Sequence, residues 1–193
     1  FKNWWFYGHD DSHGLYIGYK TKTFRNCLDF FIKDGDPGQG AGPSNIIKTN
    51  EPKNFLNVYF RPLYCVYLAI QYWLFGTNGY CYHLCNVFFH AINTALLFYI
   101  FSWFINLLPA FLAALMFAFH PQIAYRFGAI VNLHYYINVM LLLLIFIFFK
   151  KYIDTKKWYF NLIACILFAA SLFTRETSIV LPGIIFLGLY LYP

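Results

Sequence analysis

The sequence predicts an all-α, polytopic membrane helix bundle. Three observations carry that prediction. Hydrophobic residues make up 60% of the chain and charged ones 11%, whereas soluble domains are roughly one quarter charged. Apolar runs recur along the chain at lengths close to the ~20 residues a helix needs to cross a bilayer. None of them alternates polar and apolar residues with period two, and in lipid only helices or closed barrels satisfy the backbone.

Residues 1–57 form the polar region. Lys20, Lys22, Arg25 and Lys33 mix there with Asp29, Asp34 and Asp36. Residues 23–33 suit a short amphipathic helix with Phe24, Cys27, Leu28, Phe31 and Ile32 on one side. The glycine- and proline-rich stretch 35–43 then reads as a flexible linker. A phosphate cradle is excluded, because no Lys-Ser/Thr follows and no strand-then-helix frames it.

Residues 58–76 are expected to be an interfacial surface helix. The stretch carries Arg61-Pro62 and Gln71 among Tyr59, Tyr64, Tyr67, Tyr72 and Trp73, a content that suits the headgroup layer better than the hydrocarbon core. The alternative is a membrane crossing, which would put residues 1–57 on the opposite side. Residues 77–193 then hold about five transmembrane helices, over 81–103, 105–119, 135–149, 159–173 and 178–192. Several are short, so their ends are expected in the interface. The chain begins without Met and ends at Pro193 directly after an apolar run, so the expectation is a piece truncated at both ends.

Topology follows from one cluster. Lys150, Lys151, Lys156 and Lys157 flank a short turn around Asp154. Basic residues concentrate in cytoplasmic turns, so this turn is expected inside. Counting from it, 106–109 is inside, while 77–80, 120–134 and 174–177 are outside. With the surface reading of 58–76, Asp10, Asp11, Arg61, His120, Arg126, His134, Arg175 and Glu176 all fall on the outer side. Ionisable residues at membrane depth are costly and mark sites. The bland alternatives are an Asx turn at Asp10-Asp11, a local Arg175-Glu176 pair, and a snorkelling Arg126.

The net charge of +6 matches the membrane-topology pattern rather than a nucleic-acid interface. The five cysteines are odd in number and lie mostly in or beside apolar runs, which argues against a disulfide framework. Cys81-x-His83-x-Cys85 with His90 matches no zinc-ligand spacing, so no metal site is assigned.

A family resemblance is carried by strings in fixed order. They are Tyr59-Phe60-Arg61-Pro62-Leu63, Trp73-Leu74-Phe75-Gly76, Tyr82-His83-Leu84-Cys85-Asn86-Val87 and His90-Ala91-Ile92-Asn93-Thr94-Ala95-Leu96-Leu97. Phe117-Ala118-Phe119-His120-Pro121 and Leu172-Phe173-Thr174-Arg175-Glu176-Thr177-Ser178-Ile179-Val180-Leu181-Pro182 complete the set. Together with the Asp10-Asp11 pair, these resemble the GT-C membrane glycosyltransferases. Among them are the O-mannosyltransferases that carry tetratricopeptide repeats, and their bacterial relatives. Residues between Phe24 and Asn57 are unmatched.

The resemblance implies a GT-C-like helix bundle whose first outside loop carries a catalytic acid. It implies inverting transfer of one mannose-like sugar from a polyprenyl-phosphate donor to a hydroxyl on protein or glycolipid. No further cofactor is implied. The partners are the lipid bilayer, the lipid-linked donor and the acceptor, with no nucleic acid. Asp10 takes the place of the general base and Asp11 that of its companion. Arg61 occupies the family's basic-Pro position as the first phosphate contact. Arg175 stands where Lys is usual, as the second, with Glu176 orienting it. His120 positions the donor or caps the preceding helix. The chain departs from the family at Gln122-Ile123-Ala124-Tyr125-Arg126-Phe127, which lacks the acid usual four positions after His-Pro. Arg126 is a substitute phosphate contact there. The implied location is a bacterial inner membrane, or the endoplasmic reticulum membrane if the source is eukaryotic, with the site on the extracytoplasmic side. Such a piece is expected to be inactive alone.

His83, Asn86, His90 and Asn93 on the long second run are assigned to hydrogen bonds between helices. Two readings from other classes stay open. A transporter or channel fragment needs polar residues lining a path through the spans, and these spans are mostly aliphatic and aromatic. A non-catalytic membrane protein sharing the bundle is the other.

Overall fold

The computed structural model describes residues 61–121 and 129–185. The expectations for residues 1–57, Asp10 and Asp11 included, and for Arg126 lie outside those residues. Every regular element among the described residues is helical. In chain order they are α1 (Pro62–Phe75), α2 (Gly79–Phe101), α3 (Leu107–Ala118), a 3-10 turn (Ile130–Asn132), α4 (Leu133–Thr155), α5 (Trp158–Thr174) and a second 3-10 turn (Glu176–Val180).

α2 and α4 have 23 residues each and are long and apolar enough to cross a membrane. At a rise of about 1.5 Å per residue each spans roughly 35 Å, more than a ~30 Å hydrocarbon core. α1, α3 and α5 are shorter apolar helices of 14, 12 and 17 residues.

The contacts divide into two compact units. Among the described residues the first holds α1, α2 as far as Phe88, Pro121 and residues 129–134. α1 begins with Pro62 at its first position, where a missing N–H removes no helix bond. Tyr64, Cys65 and Leu68 recur at helical spacing and pack with Tyr82 and Val131 into this unit's core. α1 ends at Gly76, whose N–H donates to the Tyr72 carbonyl at 2.8 Å. Its φ of 56° and ψ of −122° are open to glycine and costly for other residues. The Tyr82 hydroxyl then donates to the Gly76 carbonyl at 2.7 Å and locks the turn onto α2.

The second unit holds the rest of α2, α3, α4 from Tyr135, α5 and the turn after it. Ala110 and Ala114 of α3 are buried one helical turn apart. α4 buries Tyr136, Ile137, Leu141 and Ile145, again at helical spacing. Phe98 meets Phe111 edge-on, and Phe146 of α4 receives Trp103 and Phe104 from the turn after α2. α4 runs through Lys150 and Lys151 to Thr155, beyond the run at 135–149 that composition alone marks out. Lys150 pairs with Asp154 one turn on at 2.7 Å, an exposed i,i+4 pair on this last part of the helix. The turn into α5 puts Lys156 at φ 54°, with its N–H on the Tyr152 carbonyl at 2.8 Å. That is a left-handed helix cap made without glycine.

The helix expected over residues 178–192 differs at its start: the chain leaves α5 through an extended Arg175 and makes a 3-10 turn, with helix from Leu181 to Ile185, and residues 186–192 lie outside the described residues. Pro182, which cannot donate to a preceding turn, sits where a helix start tolerates it.

One face of α2 carries polar groups at spacings of four, four and three residues. Besides Tyr82, Asn86 donates to the Ala129 carbonyl at 3.2 Å within the first unit. Within the second, His90 Nε2 donates to the Ala118 carbonyl at 3.2 Å and Asn93 to the Tyr136 carbonyl at 2.9 Å. Ala118 ends α3, so its carbonyl has no partner inside that helix. His90 and Asn93 thus join helices, as their sequence positions indicated, whereas Asn86 bonds Ala129 in the connection ahead of the first 3-10 turn.

Candidate functional site

The site builds from the end of α5. Thr174 returns its hydroxyl to the Ala170 carbonyl at 2.9 Å, and the Arg175 N–H closes on the Ser171 carbonyl at 2.8 Å. Arg175 itself is extended, at φ −155° and ψ 131°. The Ser178 N–H donates back to the Arg175 carbonyl at 3.2 Å, starting the 3-10 turn. The backbone of Arg175 is therefore held at both ends.

Its side chain is held by α4. The guanidinium carbon lies 4.1 Å from the centroid of the Tyr135 ring, well inside cation–π range. The Nε is buried and meets no acceptor among the described residues. The ring face binds the cation without using an N–H donor, so the guanidinium's bidentate donor set is not taken up by the stack. No ion pair joins Arg175 to Glu176 among the described residues. Glu176 is exposed and opens the 3-10 turn.

A second pair of contacts lies one turn along α4. The Ser178 hydroxyl donates to Asn138 Oδ1 at 3.1 Å and to the Ser171 carbonyl at 3.4 Å. Asn138, Ser171 and Ser178 are all buried. An amide in an apolar helix is costly without a partner, and Ser178 supplies one.

Geometry within the second unit places His120 at the same end as Arg175. The Ala118 carbonyl binds His90, whose ring is 5.9 Å from that of Tyr136, next to Tyr135. His120 follows two residues after Ala118 and is exposed, and its N–H reaches the Phe117 carbonyl at 3.4 Å to close α3. The lysine turn lies at the other end of α4: Tyr135 and Lys150 are about 22 Å apart along the helix. Lys150 there sits 5.3 Å over the ring of Trp103.

Arg61 belongs to the first unit. It is the N-cap of α1, half-buried, with its carbonyl accepting the Tyr64 N–H at 3.1 Å. In that unit His134 Nδ1 donates to the Val131 carbonyl at 2.8 Å and its ring meets Tyr64 edge-on at 4.6 Å. His134 is thus a packing residue of the first core.

Sequence reasoning passed over Tyr135 and Asn138. Both sit inside a run read as an apolar span. The available signal was Asn138 itself, a polar residue three positions from Tyr135 and therefore on the same helical face.

Comparison with known proteins finds two similar mammalian chains. The "Protein O-mannosyl-transferase TMTC1" of Mus musculus is 28% identical over 65% of this chain and 14% of its own length. The human protein of the same name is 27% identical over 65% of this chain and 16% of its own length. The match thus spans about a sixth or less of those relatives. No protein-family model matches the chain, and no solved structure does.

Proposed function

We propose that the chain is part of an inverting membrane glycosyltransferase. It moves a mannose-like sugar from a polyprenyl-phosphate donor to a hydroxyl on protein or glycolipid. The observation that carries this reading is the similarity to two O-mannosyl-transferases over most of the chain. The geometry around Arg175 supports it, because a half-buried guanidinium that meets no carboxylate among the described residues suits an anionic ligand.

The reaction needs a base, a cation and an apolar platform. Asp10 removes the acceptor hydroxyl proton as the oxygen attacks the anomeric carbon. The new C–O bond forms on the face opposite the phosphate, as inversion requires. The bond from sugar to phosphate breaks, and the phosphate oxygen leaves with its electron pair. Asp11 stands beside the base. Arg61 and Arg175 are each a candidate for stabilising the charge growing on the phosphate. Arg126 is a third candidate for that role, Glu176 flanks Arg175, and His120 positions the donor.

The platform is a multi-pass bundle in the bilayer. Phe88, Leu108, Met116, Ile166 and Phe119 are more than half exposed, a surface that lipid tails satisfy and water does not. Lys150 over Trp103 is an arrangement suited to the headgroup layer. On this reading α1 lies along the outer membrane surface and the sugar-transfer site is extracytoplasmic, in the endoplasmic reticulum or a bacterial inner membrane.

The test is donor choice. Membranes carrying the full-length protein are given either polyprenyl-phosphate mannose or a nucleotide-linked mannose. Transfer from the lipid donor alone is the expected result. Transfer from the nucleotide sugar, with none from the lipid, overturns the proposal.

A further inference from the structure

We propose that Tyr135 and Asn138 are positioning residues that fix the Arg175 guanidinium for a phosphate on a lipid-linked ligand. The inference rests on the reading of Arg175 as a phosphate contact. Tyr135 and Asn138 are three residues apart on α4, so they share a face. Each grips a different part of the segment after α5. Tyr135 holds the cation itself at 4.1 Å. Asn138 holds Ser178 at 3.1 Å, and Ser178 is bonded through its own N–H to the Arg175 carbonyl.

The two grips do different things. A long arginine side chain samples many rotamers in solution, and a ring face restricts them without occupying donors. The Asn138–Ser178–Ser171 bonds fix where the backbone launches that side chain. An anion meeting this arginine finds its donors already placed, so less ordering accompanies binding. An ordinary core contact does not explain the pattern, because leucine in place of tyrosine fills similar space but offers a cation nothing.

The experiment measures binding of polyprenyl phosphate to the full-length protein in detergent, which is independent of whether sugar transfer occurs. Inorganic phosphate is the second probe. The proteins are the parent, Tyr135→Phe, Tyr135→Leu, Asn138→Leu, Arg175→Ala and the Tyr135→Leu/Arg175→Ala double variant. Tyr135→Phe keeps affinity within about twofold, because the ring face remains. Tyr135→Leu weakens it roughly fivefold to tenfold, and Asn138→Leu weakens it in the same direction. In the double variant, Tyr135→Leu adds nothing to the loss from Arg175→Ala. Inorganic phosphate at the same concentration does not compete.

Equal losses from Tyr135→Leu with and without Arg175 overturn the inference, since the tyrosine then acts through packing alone. So does unchanged binding in Arg175→Ala, or competition by inorganic phosphate as strong as the lipid's. If Tyr135→Leu does not fold, Tyr135→Met takes its place in the same cycle. A protein that binds polyprenyl phosphate in this coupled way but transfers no sugar keeps the inference and loses the catalytic reading.

Discussion

Asn93 on α2 donates its side-chain amide to the backbone carbonyl of Tyr136 on α4 at 2.9 Å, and Asn93 is only 1% exposed. The bond ties the two long helices together one residue from the Tyr135 ring that carries Arg175. Replacing Asn93 with Leu removes the bond and leaves the carbonyl to its own helix. The expected cost is about 1 kcal/mol of stability, in the range found for hydrogen bonds between membrane helices. Denaturant titration of the detergent-solubilised protein reads it, and unchanged or greater stability contradicts the assignment.

The turn between α1 and α2 makes a sharper prediction. Gly76→Ala meets no atom within 4 Å, so any loss comes from the backbone at φ +56° and not from a clash. A cost on the order of 2 kcal/mol is expected for forcing a side chain into that conformation. Tyr82→Phe, which deletes the hydroxyl bonded to the Gly76 carbonyl, costs about 1 kcal/mol. The midpoint of thermal unfolding for each variant checks both values, and Gly76→Ala should be the more damaging.

Lys156 gives the opposite sign. It adopts φ 54° between α4 and α5 although it has a Cβ. Lys156→Gly relieves about 1 kcal/mol and is expected to raise the unfolding midpoint. A fall would mean that the lysine side chain contributes more than its backbone strain costs.

The Lys150–Asp154 pair is expected to matter little. Both side chains are substantially exposed, at 37% and 54%. Asp154→Asn should change stability by no more than about 0.5 kcal/mol, the usual worth of such pairs on a helix. The same titration measures it at low and high salt, and a larger, salt-independent loss contradicts the surface reading.

Helix positions were legible from composition because burial in this chain is written in long apolar runs. The runs at 81–103, 105–119 and 159–173 differ from α2, α3 and α5 by only one or two residues at each end. Two ends differ from the hydropathy reading. α4 continues past Lys150 to Thr155 with the exposed Lys150–Asp154 pair on it, and the segment expected as helix from Ser178 opens as a 3-10 turn in which Ser178 is bonded to Asn138. The carbonyl-seeking roles of Asn86, His90 and Asn93 were also legible, since a polar stripe in an apolar helix must find partners.

The site was legible only as a set of charges. Arg175 stood out by type and by its Thr-Arg-Glu-Thr setting, and its sequence neighbour Glu176 looked like the natural partner. The contact observed is instead Tyr135, forty residues away. Contacts between distant segments leave no local trace in sequence. Asn138 left a faint one, as an amide in an apolar helix.

The most direct test of the central claim is sugar transfer by the Asp10→Asn variant of the full-length protein, with polyprenyl-phosphate mannose as donor. The side chain keeps its shape and loses its ability to accept a proton. A loss of at least about a hundredfold in transfer rate is expected, with membrane insertion and polyprenyl phosphate binding unchanged. Transfer at the parental rate would contradict the claim.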